Sequence, residues 1–139
     1  EQIQSILEQL SDSDELIISD DGSIDGTLDI VESYEDHRII LVNGKGQGLI
    51  RNFENALTHA KGDNIFLTDQ DDIWLKGKVF LCNELLKSQK VSLVVTDCKV
   101  VDSSLNILSP SFFQLRQSGG GFLSNLAKNS YLGCCMAFK

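Results

Sequence analysis

The chain has 139 residues, which suits one domain and allows roughly two-thirds of the unfolded surface to be buried. Its net charge of -8 argues against nucleic acid as a partner, because phosphate backbones are bound by clustered Lys and Arg. No apolar run approaches the ~18 residues of a membrane span and no signal peptide is visible, so the sequence predicts a cytoplasmic protein. In that compartment its cysteines are expected to be reduced and mostly buried: Cys82, Cys98, Cys134 and Cys135.

Short apolar runs alternate along the chain with segments of helical periodicity. In chain order these predict a helix over 2–10, a strand over 16–18, a helix over 26–35, a strand over 39–42, a helix over about 49–60, a strand over 65–67, a helix over about 76–88 and a strand over 91–96. The rest predicts a hairpin over 99–108, a glycine break at 119–121, a short helix over 122–128 and a strand over 134–138. In the helix over 26–35, Leu28, Ile30 and Val31 are predicted to face inward. The next two helices carry the apolar residues Ile50, Phe53, Leu57, Ala60, Val79, Leu81, Leu85 and Leu86.

The predicted strands are near-continuous apolar runs, which is typical of a parallel sheet covered by helices on both faces. We therefore predict an α/β fold with a mostly parallel sheet. Ligands of such folds bind beyond the carboxyl ends of the strands. This rule directs attention to two acidic loops, one after Ile18 and one after Leu67.

The loop after Leu67 contains an aspartate cluster at residues 69–72, with carboxylates at Asp69, Asp71 and Asp72. Three carboxylates in four residues repel one another unless a cation or solvent relieves the repulsion. Oxygen-rich sites of this kind suit Mg²⁺ or Mn²⁺, which bind one or two carboxylates together with phosphate oxygens. The alternative is a solvated loop whose aspartates cap a helix.

The loop after Ile18 carries Asp20, Asp21 and Asp25, and its carboxylates could accept hydrogen bonds from a nucleotide base or ribose. Asp25 is also placed to cap the following helix. The same segment matches the ligand positions of a calcium-binding EF-hand loop with Asp21, Ser23, Asp25, Gly26, Asp29 and Glu32. An EF-hand needs a helix leading into this loop, whereas residues 16–18 predict a strand.

A glycine-rich loop at residues 43–48 lies between a predicted strand and a predicted helix. Its spacing does not fit the dinucleotide-binding pattern, because the third glycine position falls on Leu49. A mobile connection or a close backbone approach to a ligand explains the glycines. Arg51 beyond it could supply positive charge near a diphosphate or lie on the helix surface. Trp74 could wall a ligand pocket or pack as an anchor.

Three segments, residues 16–27, 51–56 and 60–67, together with the aspartate cluster and Trp74, resemble the family 2 glycosyltransferases of the GT-A fold. Order and spacing agree over roughly residues 14–80, and the joint match of three motifs is specific although each alone is weak. The form of residues 69–74 resembles bacterial surface-polysaccharide enzymes, including rhamnosyltransferases.

The resemblance implies a Rossmann-like GT-A fold and transfer of a sugar, with inversion, from a nucleotide-diphosphate donor to a polysaccharide or lipid-linked acceptor. It implies that Asp21 contacts the base, Asp69 lies near the ribose, Asp71 binds Mg²⁺ or Mn²⁺, and Asp72 lies on or beside the metal. The metal would neutralise the leaving diphosphate. The substrate-binding residues expected on this basis are Asp20, Asp21, Asp25, Arg51, Asp69 and Trp74.

The same resemblance sets the expected organisation. Residues 1–139 would form the donor-binding part of a GT-A domain incomplete at both ends, starting after the first strand, with the acceptor-side segment beginning over 98–139. The catalytic base of the family would lie beyond residue 139, so no catalytic residue is named and the isolated piece is expected to lack transferase activity. Peripheral association with the inner face of the cell membrane and homo-oligomerisation are both compatible with such an enzyme.

Two alternatives stay open on the sequence. A metal-dependent sugar nucleotidyltransferase would usually show a glycine-rich loop with a basic residue near the first strand, which is not seen. A non-enzymatic calcium- or carbohydrate-binding module would explain residues 21–32 but not the aspartate cluster.

Overall fold

The computed structural model describes residues 1–117 and 131–139, which form two compact units. Unit 1 comprises Glu1–Asp63 and Ile73–Val79, and unit 2 comprises Asn64–Asp72 and Phe80–Lys139. The predicted glycine break at 119–121 and helix over 122–128 lie outside the described residues. Within the described residues, no helix is both long and apolar enough to span a bilayer.

Unit 1 alternates helices with two strands. Its elements are α1 (Gln2–Leu7), β1 (Leu16–Asp20), α2 (Thr27–Glu32), β2 (Ile39–Asn43) and α3 (Leu49–His59). The two strands pair in parallel, with Leu16 opposite Ile39 and Asp20 opposite Asn43. The predicted helix–strand order and the parallel pairing are therefore confirmed in this unit. Both strands end at the same edge, so the loops that follow them meet there.

Unit 1 is stabilised by an apolar core and by the hydrogen bonds of one arginine, Arg38. Its buried apolar side chains are Ile6, Leu7, Leu16, Val31, Trp74 and Val79. The guanidinium of Arg38 donates to the carbonyls of Leu7 and Leu10 at 3.0 and 2.8 Å, and to the carboxylate of Asp36 at 2.7 Å. Arg38 therefore binds carbonyls at and just beyond the end of α1, through hydrogen bonds strengthened by its charge.

Unit 2 is built around short strands. Its elements are β3 (Ile65–Phe66), the part of α4 (Lys78–Leu86) from Phe80 onward, β4 (Leu93–Val95), β5 (Val100–Val101), β6 (Ile107–Ser109), α5 (Phe112–Arg116), a 3₁₀ turn (Gly133–Cys135) and β7 (Met136–Phe138). The predicted hairpin is confirmed as the antiparallel pair β5–β6, whereas α5 was not predicted. β7 lies between β3 and β4 and runs antiparallel to both.

The antiparallel β7 corrects one detail of the predicted sheet. Continuous apolar runs indicate that a strand is buried, but they carry no information about its direction. A strand that returns after a long connection can enter the sheet either way. The mixed α/β class is confirmed, and parallel pairing is confined to β1 and β2 among the described strands.

The predicted inward face of α2 is only partly right, because Val31 is buried but Ile30 is exposed. Among the apolar residues of α3 and α4, Val79 and Leu86 are buried, whereas Ile50, Leu81 and Leu85 are exposed. Helix α4 is apolar around most of its circumference, so periodicity could not select the face that packs. The thiols are mostly buried, as predicted, because Cys82, Cys134 and Cys135 are buried and Cys98 is half-buried.

Candidate functional site

In the acidic loop after β1, two aspartate side chains accept hydrogen bonds from backbone amides of the same loop. One carboxylate oxygen of Asp20 accepts from the amides of Gly22 and Ser23 at 3.0 and 2.9 Å. Hydrogen bonding from Ser23 is the main reason that the pKa of Asp20 lies below its ordinary value. Asp25 accepts from the amide of Thr27 at 3.0 Å, which lowers its pKa in the same way. These bonds shape the turn that leads into α2. The N-cap residue of this helix is Gly26, so the prediction that Asp25 caps it is wrong.

The third aspartate of this loop reaches the glycine loop, residues 43–48. One oxygen of Asp21 accepts from the amide of Gly46 and the other from the amide of Gly48, both at 2.8 Å. Both glycines have positive φ, 64° and 86°, a conformation that glycine adopts at little cost. Gly48 is also the residue before α3, so the carboxylate lies where the helix N-terminus favours negative charge.

The same contacts exclude the calcium-loop alternative. A strand, β1, directly precedes Asp21 where an EF-hand has a helix. The carboxylate that would occupy the first ligand position is held by Gly46 and Gly48. Among the described residues, the potential metal-binding group lies elsewhere in the chain.

Gly44 lies where the two loops approach most closely. Its amide donates to the Asp20 carbonyl at 2.6 Å. A β-carbon at this position would lie 2.6 Å from a carboxylate oxygen of Asp21, 2.8 Å from the Asn52 side-chain oxygen and 2.8 Å from the Asp20 carbonyl. No real β-carbon is accommodated at such distances, and one of the three atoms belongs to the backbone.

We therefore expect Gly44→Ala to destabilise the protein by about 1–3 kcal/mol, the usual cost of overpacking. Chemical denaturation followed by circular dichroism measures the loss. Gly26→Ala is the matched control, because a β-carbon there meets nothing within 4 Å, and its change should stay within about 0.5 kcal/mol. Equal stability of the two variants would contradict the close approach.

Two asparagines of α3 fasten the helix to the ends of both strands. The Asn52 amide donates to the Ser19 carbonyl at 2.7 Å, and the Ser19 hydroxyl donates back to the Asn52 oxygen at 2.5 Å. The Asn55 amide donates to the Ser19 hydroxyl at 2.8 Å and to the Asn43 carbonyl at 3.2 Å. No role was predicted for Asn52 or Asn55, although both lie in the 51–56 motif. The sequence feature that could have identified them is the pair of side-chain amides three residues apart, on one face of a helix that follows a glycine loop.

Arg51 lies on the exposed side of α3 and forms an ion pair with Glu54. It borders a cavity of about 330 Å³ in unit 1. The cavity is lined by Lys45, Gln47, Arg51, Glu54, Asn55 and Thr58. This wall offers two cations and several hydrogen-bonding groups, so it can contact a polar, anionic ligand.

The aspartate cluster lies in unit 2, directly after β3. Ligand atoms of Asp69, Asp72 and Cys134 all fall within 4.8 Å of one another. Asp71 is exposed and lies outside this group of three. The sequence did not associate Cys134 with the cluster, because it lies far along the chain in the 3₁₀ turn before β7.

Burial and neighbouring groups shift the pKa values of Asp69 and Cys134. Burial is the largest cause that raises the pKa of Asp69, and the charges of Asp72 and Asp71 raise it further. Burial, followed by the hydrogen bond with Asp72, raises the pKa of the Cys134 thiol well above its ordinary value. The thiol is therefore neutral at physiological pH.

The donor set fits a hard divalent cation. Mg²⁺ and Mn²⁺ are held by one or two carboxylates, and Asp69 and Asp72 supply two within reach of one ion. Thiolate ligands suit softer metals than Mg²⁺ or Mn²⁺, so Cys134 is a poor match for such an ion. The carboxylates could therefore hold the ion while Cys134 packs beside it.

Trp74, predicted at a ligand pocket or as an anchor, lies in unit 1. Its ring is buried, and its amide donates to the Ser5 hydroxyl at 3.0 Å. The ammonium of Lys78 lies 4.4 Å from the ring centroid, a cation–π contact. Any contact of Trp74 with a substrate stays a prediction.

Comparison with known proteins decides between the enzyme families considered above. The family model described as glycosyl transferase family 2 matches residues 1–139. The chain belongs to glycosyl transferase family 2. The membership confirms the resemblance carried by the three motifs and removes the nucleotidyltransferase alternative.

Individual relatives in this family come from bacteria. A UDP-Glc:alpha-D-GlcNAc-diphosphoundecaprenol beta-1,3-glucosyltransferase of Escherichia coli is 37% identical over 92 residues, which cover 64% of this chain and 36% of that protein. A dTDP-rhamnosyl transferase of Shigella flexneri is 36% identical over 87 residues, which cover 57% of this chain and 30% of that protein. A chondroitin synthase of Escherichia coli is 31% identical over 113 residues, which cover 79% of this chain and 16% of that protein. The chain spans about a third of the length of the first two relatives.

Proposed function

We propose that this chain is the donor-binding part of a glycosyltransferase that transfers a sugar, with inversion, from a nucleotide-diphosphate donor to a polysaccharide or lipid-linked acceptor. The observation that carries the proposal is the convergence of Asp69 and Asp72 in the loop after β3 of a family 2 chain. Enzymes of this family generally use a divalent metal ion. Either Mg²⁺ or Mn²⁺ suits the two carboxylates.

The relatives support a narrower proposal for the substrates. Two of them are named for a UDP-glucose donor with a diphosphoundecaprenol-linked acceptor and for a dTDP-rhamnosyl donor. We infer that this chain binds a UDP- or dTDP-linked hexose and serves the synthesis of a bacterial surface polysaccharide. An acceptor on a polyprenyl lipid would place the reaction at the cytoplasmic face of the cell membrane.

The role proposed for each site residue is the one that the family resemblance implies. Asp21 contacts the nucleotide base, and Asp69 lies near the ribose and the metal. Asp71 and Asp72 complete the metal-binding carboxylates. The metal, when bound, stabilises the negative charge of the leaving diphosphate. The remaining proposed donor contacts are Asp20, Asp25, Arg51 and Trp74.

Titration with UDP and dTDP, in the presence and absence of Mn²⁺, tests this function. We expect binding that depends on the metal and weakens at least about tenfold in Asp71→Ala, because a ligand near the diphosphate is lost. Asp63→Ala is the matched control, since Asp63 is an exposed aspartate just before β3. Metal-independent binding, or equal loss in both variants, would contradict the proposal.

A further inference from the structure

We propose that Asp21 is a positioning residue, which holds the glycine loop in one conformation and acts on nucleotide binding through that loop. This role rests on the proposed function and is additional to the contact with the base that is proposed there. The deciding observation is that both carboxylate oxygens already accept backbone hydrogen bonds, from Gly46 and from Gly48. A side chain that served only the ligand would have no need of partners 25 and 27 residues along the chain.

The two bonds act where the chain is otherwise least restrained. Glycine loses more conformational freedom on ordering than any other residue, so a loop with glycines at positions 44, 46 and 48 is costly to fix. Hydrogen bonds to a carboxylate are roughly twice as strong as those between neutral groups. The amide of Gly44, which donates to the Asp20 carbonyl, restrains the same loop at a third point.

The restrained loop carries two side chains of the polar cavity. Lys45 and Gln47 alternate with the glycines and line the cavity together with Arg51. Fixing the backbone at Gly46 and Gly48 therefore limits where Lys45 and Gln47 can lie. Asp21 thus organises a wall that can meet the anionic part of the donor, without contacting that part itself.

Amide hydrogen exchange in the protein without nucleotide tests the restraint. In Asp21→Asn, exchange at Gly46 and Gly48 should accelerate at least about tenfold, because an amide side chain offers one oxygen in place of two. Asp25→Asn is the matched control: it lies in the same loop and loses the same charge, but its carboxylate bonds Thr27. Unchanged exchange at both glycines in Asp21→Asn, with the β1–β2 ladder still protected, would overturn the proposal.

A second readout needs no substitution. Scalar couplings across the hydrogen bonds, from the Gly46 and Gly48 nitrogens to the Asp21 carboxyl carbon, should be detectable in the unaltered protein. Their absence would overturn the proposal even if Asp21→Asn failed to fold. Both measurements are made without ligand, so they separate this role from the proposed function.

Titration with UDP and Mn²⁺ then links the restraint to binding. Asp21→Asn should bind at least about tenfold more weakly with an unchanged number of sites per chain. A purely structural role would lower the number of competent sites and leave the affinity unchanged, which would contradict the positioning role.

Discussion

Replacing Leu86 with alanine is expected to lower the free energy of unfolding by about 2–5 kcal/mol. The Leu86 side chain is fully buried in unit 2, in a cluster with Cys82 and Ala137. Phe66 and Val94 pack against this cluster from the flanking strands. Removing three buried carbon atoms costs their transfer free energy and leaves a cavity. Because a domain of this kind has only about 5–15 kcal/mol in total, the loss should be plain in urea denaturation.

Leu85→Ala provides the control for this prediction. It is the same substitution one residue earlier on the same helix, but the Leu85 side chain is 54% exposed. Its effect should stay within about 0.5 kcal/mol, as for most surface positions. Equal destabilisation by the two variants would mean that α4 packs through a different face.

The contrast between Leu85 and Leu86 shows where prediction from sequence ends. The order of helices and strands follows from apolar runs, glycines and capping residues, all of which are local, and it is confirmed from α1 to β4. The packed face of α4 is not local, since Phe80, Leu81, Leu85 and Leu86 are all apolar and the neighbours decide. The direction of β7 is likewise set by the strands it joins rather than by its own residues.

The same distinction between local and tertiary information applies to the candidate site. The rule about strand ends located both acidic loops, because it needs only strand positions and the residues that follow. It could not supply the partners that fix each carboxylate. Gly46 and Gly48 reach Asp21 from a different loop, and Cys134 joins Asp69 and Asp72 from the far end of the chain. Such contacts depend on the tertiary fold.

The second large effect is expected at the aspartate cluster. In Asp72→Asn, the affinity for Mn²⁺ in the presence of UDP should fall at least about a hundredfold. Loss of a group that merely orients a metal ligand costs about 10–100-fold, and Asp72 is placed as a ligand itself. Electron paramagnetic resonance of free Mn²⁺ measures the affinity directly.

The stability of Asp72→Asn separates this loss from misfolding. Asp69 and Asp72 repel each other in the protein without metal, so neutralising one of them removes an unfavourable interaction. The thermal midpoint should therefore stay level or rise while metal binding disappears. A fall in both quantities would instead assign Asp72 a structural role.

Cys134→Ser identifies which atoms of the cluster hold the metal. The substitution keeps both carboxylates and nearly the same shape, and the thiol it removes is neutral and a weak ligand for hard cations. Mn²⁺ affinity should then change less than about tenfold, well below the loss in Asp72→Asn. If Cys134→Ser lost as much affinity as Asp72→Asn, the thiol would be a ligand and the site would favour a softer metal. The two variants together thus show whether the carboxylates or the thiol hold the ion.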